Sequence, residues 1–490
     1  MKGAGPNASL TAGIDLGTQS VRVVLVEDGT VAASGTAPLT SSRSEGVRHE
    51  QHPEDWWGAV GDAARQATDE LAGRGIEGLA ICSTSGTFLL TNAKGSPLTP
   101  ALMYNDGRAE EEARLAQEVG EEVWDSLGTR MQRSFALPKL LWVLRSGSGK
   151  GAARFMHQAD YVASRLAGEK VATDWSHALK TGYDLVNQRW PVEVLERLEV
   201  PVGILPPVVR PGSKIGEVSE SAAAHTGFPA GTPIRAGMTD GCAAQIAAGA
   251  LEEGQCNSVL GTTLTLKGVT RELLRDPTGA VYCHKHPDGG WLPGGASNTG
   301  AVIISEEFDE RDLEGLGEKA ERHGPATTVM YPLTTEGERF PFANSGARGF
   351  KLGEPKDETD LYRAILEGIA FVERLCFVHL QALGAEVSGP VTLTGGGAKS
   401  QFWSQLRADV LGLPVVVPHS SEGSVGMAIL ARAGEGMVAE VAANMRGAAA
   451  RFKPVESRDG RLAENFDRLA MAFVERGYIS EELAKRARMS

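Results

Sequence analysis

Short apolar runs interrupted by polar turns containing glycine recur along the chain. The first lies at residues 12–29, AGIDLGTQSVRVVLVEDG, where two runs of aliphatic residues flank a polar segment around Asp15 and Gly17. Strands bury β-branched and aliphatic side chains, so this pattern predicts strand, tight turn, strand. A plain hairpin turn is one interpretation. The other is a turn whose backbone N–H groups and hydroxyls face a phosphate, with Asp15 beside it to handle a metal ion or a proton.

The pattern that follows predicts alternating helices and strands. Apolar residues recur at three- and four-residue steps from Trp57 to Ala67, after a Pro-Glu-Asp start, which predicts an amphipathic helix. The stretch IEGLAICSTSGTFLLTNAKGSPL at 76–98 predicts a strand, a polar turn at 83–87 and a hairpin. Alternation of this kind is typical of an α/β protein.

A second copy of the opening pattern begins near residue 237. GMTDGCAAQIAAGA leads from an Asp-Gly turn into a helix of small residues, and NSVLGTTLTLKGVT is another strand–turn–strand. The duplication predicts two related lobes, with a cleft where the two hydroxyl-rich turns face each other. We place the lobes at 1–248 and 249–490, with peripheral helices beyond about residue 435. A third landmark, VTLTGGGAKSQFWSQLRADVLGLPVVVP at 391–418, predicts strand, triple glycine, helix and strand.

Composition and charge narrow the class of protein. The chain has 490 residues, of which 42% are hydrophobic and 23% charged, a length that favours two large domains. A net charge of -13 argues against nucleic acid or an anionic membrane as the main partner. No apolar run approaches the ~20 residues that span a bilayer. The five cysteines lack zinc-site spacing, so we expect reduced thiols and a cytoplasmic, soluble protein.

Several common motifs are missing. RSGSGKGAARF at 145–155 comes nearest to a P-loop, but Leu144 stands where the first glycine is required and Gly151 where Ser or Thr is required. No G-x-G-x-x-G opens a helix after a strand, which leaves a Rossmann site unsupported. His284 and His286 lack further ligands at the spacing of a zinc site.

The glycine-containing turns together support a nucleotide site. Glycine allows the backbone to approach a ligand closely, and turn amides and helix amino termini supply donors for negative charge. The first turn, Gly261-Thr262-Thr263 and Gly395-Gly396-Gly397 are three such elements from separate segments. They offer a triphosphate the donors that a P-loop would otherwise supply.

Five motifs, in this order along the chain, resemble the FGGY carbohydrate kinases of the actin/hexokinase/Hsp70 superfamily; they are DLGTQSVR, GMTDG, LGTTLTLK, GGASNTG and TGGGAKSQFWSQLRADVLGLPV. The resemblance spans residues 12–435. It implies an α/β fold of two lobes with duplicated ribonuclease-H-like cores around a central cleft. It also implies ATP-dependent phosphorylation of a sugar or polyol hydroxyl with Mg²⁺, by a monomer or homodimer. We expect sugar binding to narrow the cleft and ATP turnover without sugar to be slow.

Other segments resemble the D-ribulose kinase branch of cyanobacteria and plants; they are TSGT (84–87), MYNDGRA (103–109), DWSHALKTGYD (174–184), VYCHKH (281–286) and YPLTTEGERFPF (331–342). Xylulokinases usually carry Met-His in the stretch corresponding to 84–87 and Trp where Tyr104 stands. The resemblance therefore favours D-ribulose, with D-xylulose, L-ribulose or another polyol as alternatives. A non-catalytic sugar or nucleotide sensor is the alternative of another class.

The resemblance also assigns roles to individual residues. Asp240 is the expected catalytic base, since a carboxylate can take the proton of a sugar hydroxyl; an ordinary Asp-Gly turn is the alternative. Asp15 is expected to hold Mg²⁺ and to contact the sugar. The other expected sugar-binding residues are Gln19, Ser20, Val21, Arg22, Ser85, Asn105 and Asp106. The expected ATP-binding residues are Thr18, Gly261, Thr262, Thr263, Asn298, Gly395, Gly396, Gly397, Ala398, Ser400 and Trp403.

Overall fold

The structure is a computed structural model that describes residues 10–69, 74–309, 311–445, 447–455 and 460–489. The described residues divide into two compact units. Unit 1 takes residues of 1–249, 284–289 and 420–446, and unit 2 takes residues of 250–283, 290–419 and 447–490.

The strands, in chain order, are β1 Leu10–Leu16, β2 Ser20–Glu27, β3 Thr30–Pro38, β4 Arg43–Glu45, β5 Arg48–Gln51, β6 Ile76–Ser83, β7 Phe88–Thr91, β8 Ala101–Leu102, β9 Arg154–His157, β10 Thr173–Asp174, β11 Val208–Val209, β12 Lys214–Glu217, β13 Pro233–Thr239, β14 Cys256–Leu260, β15 Leu264–Gly268, β16 Tyr282–Lys285, β17 Trp291–Ser297, β18 Val329–Tyr331, β19 Phe350–Leu352, β20 Val391–Thr394, β21 Val415–Pro418 and β22 Ala448–Phe452.

The helices are α1 Pro53–Thr68, α2 Glu110–Val119, α3 Glu121–Ser126, α4 Ala136–Arg145, α5 Gln158–Ala167, α6 Trp175–Ala178, α7 Val192–Arg197, α8 Glu220–Thr226, α9 Asp240–Ala248, α10 Val302–Glu307, α11 Leu313–His323, α12 Glu358–Ala382, α13 Gln401–Leu411, α14 Gly423–Ala433, α15 Val438–Met445, α16 Arg461–Glu475 and α17 Glu481–Arg486. Short 3-10 turns lie at Leu179–Thr181, Val202–Ile204 and Gly396–Lys399.

The main sheet of unit 1 has the strand order β12-β13-β6-β1-β2-β3. Strand β1 pairs antiparallel with β2 and parallel with β6, and β6 pairs parallel with β13. The outer strands β3 and β12 both run antiparallel to their neighbours. A second sheet of this unit has the order β4-β5-β8-β7-β9.

The main sheet of unit 2 repeats this plan. Its order is β16-β17-β15-β14-β20-β21-β22. Strand β14 pairs antiparallel with β15 and parallel with β20, which pairs parallel with β21. Strands β17 and β22 run antiparallel to their neighbours and correspond to β3 and β12 of unit 1, and β16 is an additional edge strand. The predicted α/β fold with a duplicated core is therefore confirmed.

Helix α14 packs directly on β1 of unit 1. Gly13 of β1 allows this contact, because a Cβ at Gly13 would lie 1.7 Å from the carbonyl oxygen of Ser424. A close approach of this kind requires glycine. The sequence analysis placed all of 249–490 in the second lobe, whereas the structure groups 420–446 with unit 1. Packing between segments distant in sequence decides this grouping.

The core of unit 2 surrounds α12, most of whose residues are buried. Within it, the fully buried guanidinium of Arg407 on α13 donates two hydrogen bonds of 2.7 Å to the carboxylate of Glu373 on α12. It also donates to the Ser258 hydroxyl on β14 at 2.8 Å. Breaking a buried pair of this kind costs about 3–5 kcal/mol, so the pair fixes α13 against α12, and the bond to Ser258 joins α13 to β14.

Within the described ranges, no helix combines the length and the apolar character that crossing a membrane requires. All five cysteines are buried free thiols.

Candidate active site

Two acidic residues stand at the same edge of the unit 1 sheet. Asp15, near the end of β1, is paired with Cys82 of β6, and Cys82 is paired with Met238 of β13. Because the carboxyl ends of parallel strands meet at one edge of a sheet, Asp240, which follows β13 directly and begins α9, comes to the edge where Asp15 lies. The Asp240 side chain is exposed there.

The surroundings of Asp15 make its charged form unfavourable. Burial is the largest cause, the negative charge of Asp240 adds to it, and together they raise the pKa of Asp15 to about 6. A hydrogen bond from the Cys82 thiol acts in the opposite direction. Burial, followed by the charges of Asp15 and Asp240, holds the pKa of Cys82 well above its usual range, so Cys82 stays a protonated donor.

The amino terminus of α14 completes this acidic corner. A Cβ at Gly423 would lie 2.8 Å from Asp15 Oδ2 and 3.0 Å from Cys82 Sγ, so only glycine leaves room for both groups. The carboxylate of Glu422, just before the helix, forms an ion pair with Arg22 Nη1 at 2.7 Å. The sequence analysis missed Cys82, Glu422 and Gly423. The Glu-Gly pair at the start of an apolar helix was the available signal.

The turn between β1 and β2 has the predicted hairpin form. The Gly17 N–H donates to the Ser20 carbonyl at 3.0 Å, and the Thr18 carbonyl accepts from Gln51 Nε2 at 2.7 Å. Gln19 is exposed at the tip, and Thr18 and Ser20 are half-buried.

Two residues near this turn, Val21 and Arg22, were expected to contact the sugar but have other contacts in the structure. The Val21 side chain is fully buried in the core, so only its backbone is left to meet a ligand. Arg22 is half-exposed, and its guanidinium is engaged by Glu422. Strand alternation explains the first difference, because Val21 points to the face that packs on the core.

The turn at 84–87, which is predicted to contact the sugar, is stabilised by hydrogen bonds of its own threonine residues. Thr84 and Thr87 hydroxyls lie 2.6 Å apart, and Thr87 Oγ1 accepts from the Tyr104 N–H at 2.9 Å. Gly86 has φ +97°, a conformation that favours glycine. The Ser85 hydroxyl oxygen is enclosed and has no hydrogen-bond partner among the described residues. An enclosed hydroxyl without a partner suits a ligand that both donates and accepts.

The two polar residues at 105–106 have different environments. Asn105 is exposed. Asp106 is fully buried, and its carboxylate accepts from the Arg108 guanidinium at 2.6 Å and 2.9 Å and from the His49 N–H at 2.8 Å. The prediction that Asp106 contacts a sugar does not agree with this placement, because its oxygens already bind the protein.

In unit 2 the second turn and the triple glycine lie side by side. They follow β14 and β20, which are paired so that Val259 lies opposite Thr394. A Cβ at Gly395 or Gly397 would lie within 2.6 Å of Leu260 atoms, so these glycines permit close packing. At Gly261 and Gly396 a Cβ would meet nothing within 4 Å, so these backbones face open space.

The segment from Asn298 to Ala301 is hydrogen-bonded to the turn at Gly261-Thr262-Thr263. The Ala301 N–H donates to the Gly261 carbonyl at 2.8 Å. The Asn298 N–H donates to Glu338 Oε1 at 2.6 Å, and Asn298 Nδ2 donates to the Gly337 carbonyl at 2.8 Å. Asn298 therefore helps to fix the turn, and its side-chain amide is already hydrogen-bonded. The turn residue Thr262 is exposed and Thr263 half-buried.

The residues after the triple glycine are mostly structural. Ser400 caps α13, since its hydroxyl accepts from the Trp403 N–H at 3.2 Å. Trp403 is buried in the core and donates its indole N–H to the Leu366 carbonyl at 3.3 Å. The prediction that Trp403 flanks an adenosine does not agree with this placement, because an apolar side chain facing the core cannot also line a ligand. Ala398 is half-buried against the same core.

The fit of a magnesium ion depends on Asp15. Among the residues that the structure describes, no three His, Cys, Asp or Glu side chains group together as a metal-binding cluster. Magnesium commonly uses one or two carboxylates, water and phosphate oxygens, and does not require such a cluster. A carboxyl whose pKa is raised by burial and by a neighbouring carboxylate suits a cation, since a cation offsets both the lost hydration and the repulsion. The residues present therefore fit the ion.

The comparisons with known proteins all point to one family. The N-terminal domain model of the FGGY family of carbohydrate kinases matches residues 10–247, and the C-terminal domain model matches residues 256–434. The chain is 30% identical over 458 residues to the xylulose kinase of Escherichia coli K12, covering 88% of this chain and 90% of the relative. It is 28% identical to the gluconokinase of Bacillus subtilis, covering 91% and 92%.

A solved structure shares the fold. The xyloylose kinase from Brucella ovis superimposes with a TM-score of 0.87 over 96% of this chain and 99% of that one, at 24% identity. Identity at this level supports the fold and leaves the substrate open.

Proposed function

The chain belongs to the FGGY family of carbohydrate kinases, and on that premise we propose that it transfers phosphate from ATP to a ketopentose, with Asp240 as the general base. That it is an ATP-dependent sugar kinase follows from the family. The observation that carries the proposed base is the placement of Asp240, which is exposed at the sheet edge and close enough to Asp15 for its charge to raise the pKa of that carboxyl.

Asp240 has the chemistry that the acceptor hydroxyl requires. The sugar oxygen attacks the terminal phosphorus of ATP, the bond to the β-phosphate oxygen breaks, and ADP leaves. The hydroxyl proton passes to the Asp240 carboxylate as the new bond forms, and later to solvent. General base catalysis of this kind contributes ~10²–10⁴-fold. The rest of the barrier is lowered by alignment and charge neutralisation.

Unit 2 supplies the proposed phosphate donors. Thr262 and Thr263 provide hydroxyls and turn amides, and the open faces of Gly261 and Gly396 let backbone approach an anion closely. These groups carry no negative charge, which suits a polyphosphate. Asp15 would hold Mg²⁺ in unit 1, and the ion when bound would supply charge neutralisation for the phosphates.

D-ribulose is the proposed acceptor. The support is the resemblance of 84–87 and 103–109 to D-ribulose kinases. D-xylulose is the second candidate, and the names of the relatives support it, among them the xylulose kinase of Escherichia coli at 30% identity.

A substrate panel tests the proposal. ADP release from Mg-ATP is measured with D-ribulose, D-xylulose, L-ribulose, gluconate and glycerol, and without sugar. We expect the highest kcat/KM with D-ribulose and slow turnover without sugar. A higher value with D-xylulose would keep the kinase and overturn the choice of sugar. Turnover that no sugar stimulates would overturn the proposed reaction and favour a sensor.

A further inference from the structure

In the part of unit 1 that the structure describes, two buried histidine–aspartate pairs have no predicted role. His177 Nδ1 lies 2.5 Å from Asp174 Oδ2, and His157 Nδ1 lies 2.7 Å from Asp160 Oδ2. Both imidazoles are fully buried, and their ring centroids are 5.6 Å apart. The pairs are alike in chemistry and burial, so any difference in role must come from what each one touches.

The far side of His177 reaches the end of a central strand. Its Nε2 lies 2.9 Å from the hydroxyl of Ser83, the last residue of β6. Ser83 follows Cys82, whose thiol donates to the carboxylate of Asp15, and Ser83 is paired with Thr239 of β13. His177 is therefore anchored at the sheet edge that carries both acidic residues.

The partner of His177 reaches the same edge by a second route. Asp174 Oδ1 accepts from the Ser176 hydroxyl at 2.6 Å, and the Ser176 oxygen accepts from the Thr239 N–H at 2.9 Å. Thr239 is the residue immediately before Asp240, at the start of α9. Two hydrogen-bond routes thus run from one buried ion pair to the ends of β6 and β13.

Among the described residues, the second pair makes its hydrogen bonds elsewhere. His157 Nε2 lies 2.9 Å from the Thr181 hydroxyl, and its Nδ1 lies 3.0 Å from the Thr173 hydroxyl. Neither threonine belongs to β1, β6 or β13. Thr173 precedes Asp174 in β10, so the His157–Asp160 pair borders the first pair but does not bond to the ends of β6 and β13, and it serves as the control for those end contacts.

The electrostatics of His177 are consistent with a role beside a carboxylate. Burial acts to lower the pKa of His177, but the charge of Asp174 and its hydrogen bond outweigh burial, with further contributions from Asp160 and Asp240, and the pKa lies above its usual value. The titratable groups that face it are Asp174, Asp160, His157 and Asp240. The charge of Asp240 favours the protonated form of His177, and by the same interaction protonated His177 favours the charged form of Asp240.

We propose that the buried Asp174–His177 pair positions Asp240 for proton abstraction, through Ser83 at the end of β6 and through Ser176 at the backbone of Thr239. The inference rests on the proposed function, in which Asp240 is the base. His177 touches neither sugar nor nucleotide in this account, so it is a positioning residue.

Matched asparagine variants test the proposal. The side chain of His177→Asn can keep the contact that Nδ1 makes with Asp174 but cannot reach Ser83, and His157→Asn is shortened in the same way beside Asp160. We expect kcat with the preferred sugar to fall by at least about tenfold in His177→Asn, since small misplacements of catalytic groups cost up to ~10²-fold. The KM values for sugar and ATP should stay within about twofold, because the turn at 84–87 that follows Ser83 keeps its own hydrogen bonds through Thr84 and Thr87. In His157→Asn we expect kcat within about twofold of wild type.

Two further readouts separate positioning from a loss of folded protein. Ser176→Ala removes the acceptor of the Thr239 N–H and keeps the Asp174–His177 pair. Ser83→Ala removes the contact with His177 Nε2. Both variants should reproduce the fall in kcat with unchanged KM. The acid limb of the kcat–pH profile should move to higher pH in His177→Asn and stay in place in His157→Asn. Each kcat is referred to the fraction folded, measured by circular dichroism.

Equal losses of kcat in the two histidine variants, or wild-type kcat in both serine variants, would overturn the positioning role. If His177→Asn does not fold, the serine variants decide alone. Failure of the proposed function has a different signature, because the wild-type enzyme would then show no sugar-dependent ADP release, or Asp240→Asn would retain it.

Discussion

The two glycine-containing turns occupy the same position in matching sheets, yet they carry different chemistry. Asp15 precedes Leu16-Gly17 in unit 1, and Val259 precedes Leu260-Gly261 in unit 2. Each lies opposite its parallel neighbour in the same way, Asp15 beside Cys82 and Val259 beside Thr394. The aspartate at this strand position, together with Asp240 and Glu422, makes an acidic corner in unit 1, whereas the turn of unit 2 offers neutral donors. The repeated hairpin therefore supplies the framework, and single residues at strand ends supply the chemistry.

The largest expected loss of activity comes from removing the charge of Asp15, the residue that distinguishes the two turns. Asp15→Asn keeps the size of the side chain and removes the proposed magnesium ligand, so we expect sugar-dependent kcat/KM to fall by about 100-fold or more. Steady-state kinetics across a magnesium titration measures this. Val259→Asn in unit 2 is the matched control, and activity lost equally in both variants would mean that the acidic corner has no special role.

Asp15→Asn should lower activity but raise the stability of the folded protein. The pKa of Asp15 is raised from 3.8 to about 6, so the folded wild-type protein loses stability as pH rises from about 4 to about 6. Asparagine avoids that loss, and Asp15→Asn should be more stable than wild type by about 3 kcal/mol at pH 8. At pH 4 the gain should be much smaller. Urea unfolding without ligands at the two pH values measures it, and a gain independent of pH would contradict the electrostatic cause.

In unit 2, filling the open backbone should weaken nucleotide binding. Gly396 has room for a side chain in the protein itself, so Gly396→Val should leave the melting temperature unchanged and raise the KM for ATP by about tenfold, the loss of one or two hydrogen bonds. Gly397→Ala is the contrast, because its Cβ would meet the Leu260 side chain at 2.6 Å and should lower stability. An unchanged KM for ATP in Gly396→Val would remove Gly396 from the proposed phosphate site.

The smallest expected effect concerns the sugar. Ser85→Ala removes an enclosed hydroxyl without a protein partner, so the KM for the preferred sugar should rise by about three- to tenfold with no loss of stability. Sugar titrations at saturating ATP measure the change. Thr84→Val serves as the comparison, since Thr84 bonds within the protein to Thr87 and Gln158 and its loss should chiefly reduce stability.

Much of the fold was predictable from the sequence, because local patterns carry it. The hairpins at 10–27 and 256–268 follow from apolar runs around Gly17 and Gly261, and their repetition predicts a duplicated core. The triple glycine differs in detail: it forms a 3-10 turn, and α13 begins only at Gln401. Ser400, which caps that helix, accounts for the later start.

The site was less predictable, because burial and pairing depend on distant segments. Asp106 and Trp403 have suitable chemistry for ligand binding, but Arg108 and the core of unit 2 engage them. Gly423 and His177 lie far from Asp15 in sequence, and only the packing of α14 and the end of β6 reveals their relation to the acidic corner.

In the proposed reaction, Asp240 takes the proton of the sugar hydroxyl while other residues bind the substrates. The most direct measurement compares wild type with Asp240→Asn for sugar-dependent ADP release and, by calorimetry, for affinity toward sugar and ATP. We expect kcat to fall by ~10²–10⁴-fold with affinities within about threefold of wild type. Retained turnover in Asp240→Asn, at unchanged affinities, would contradict it.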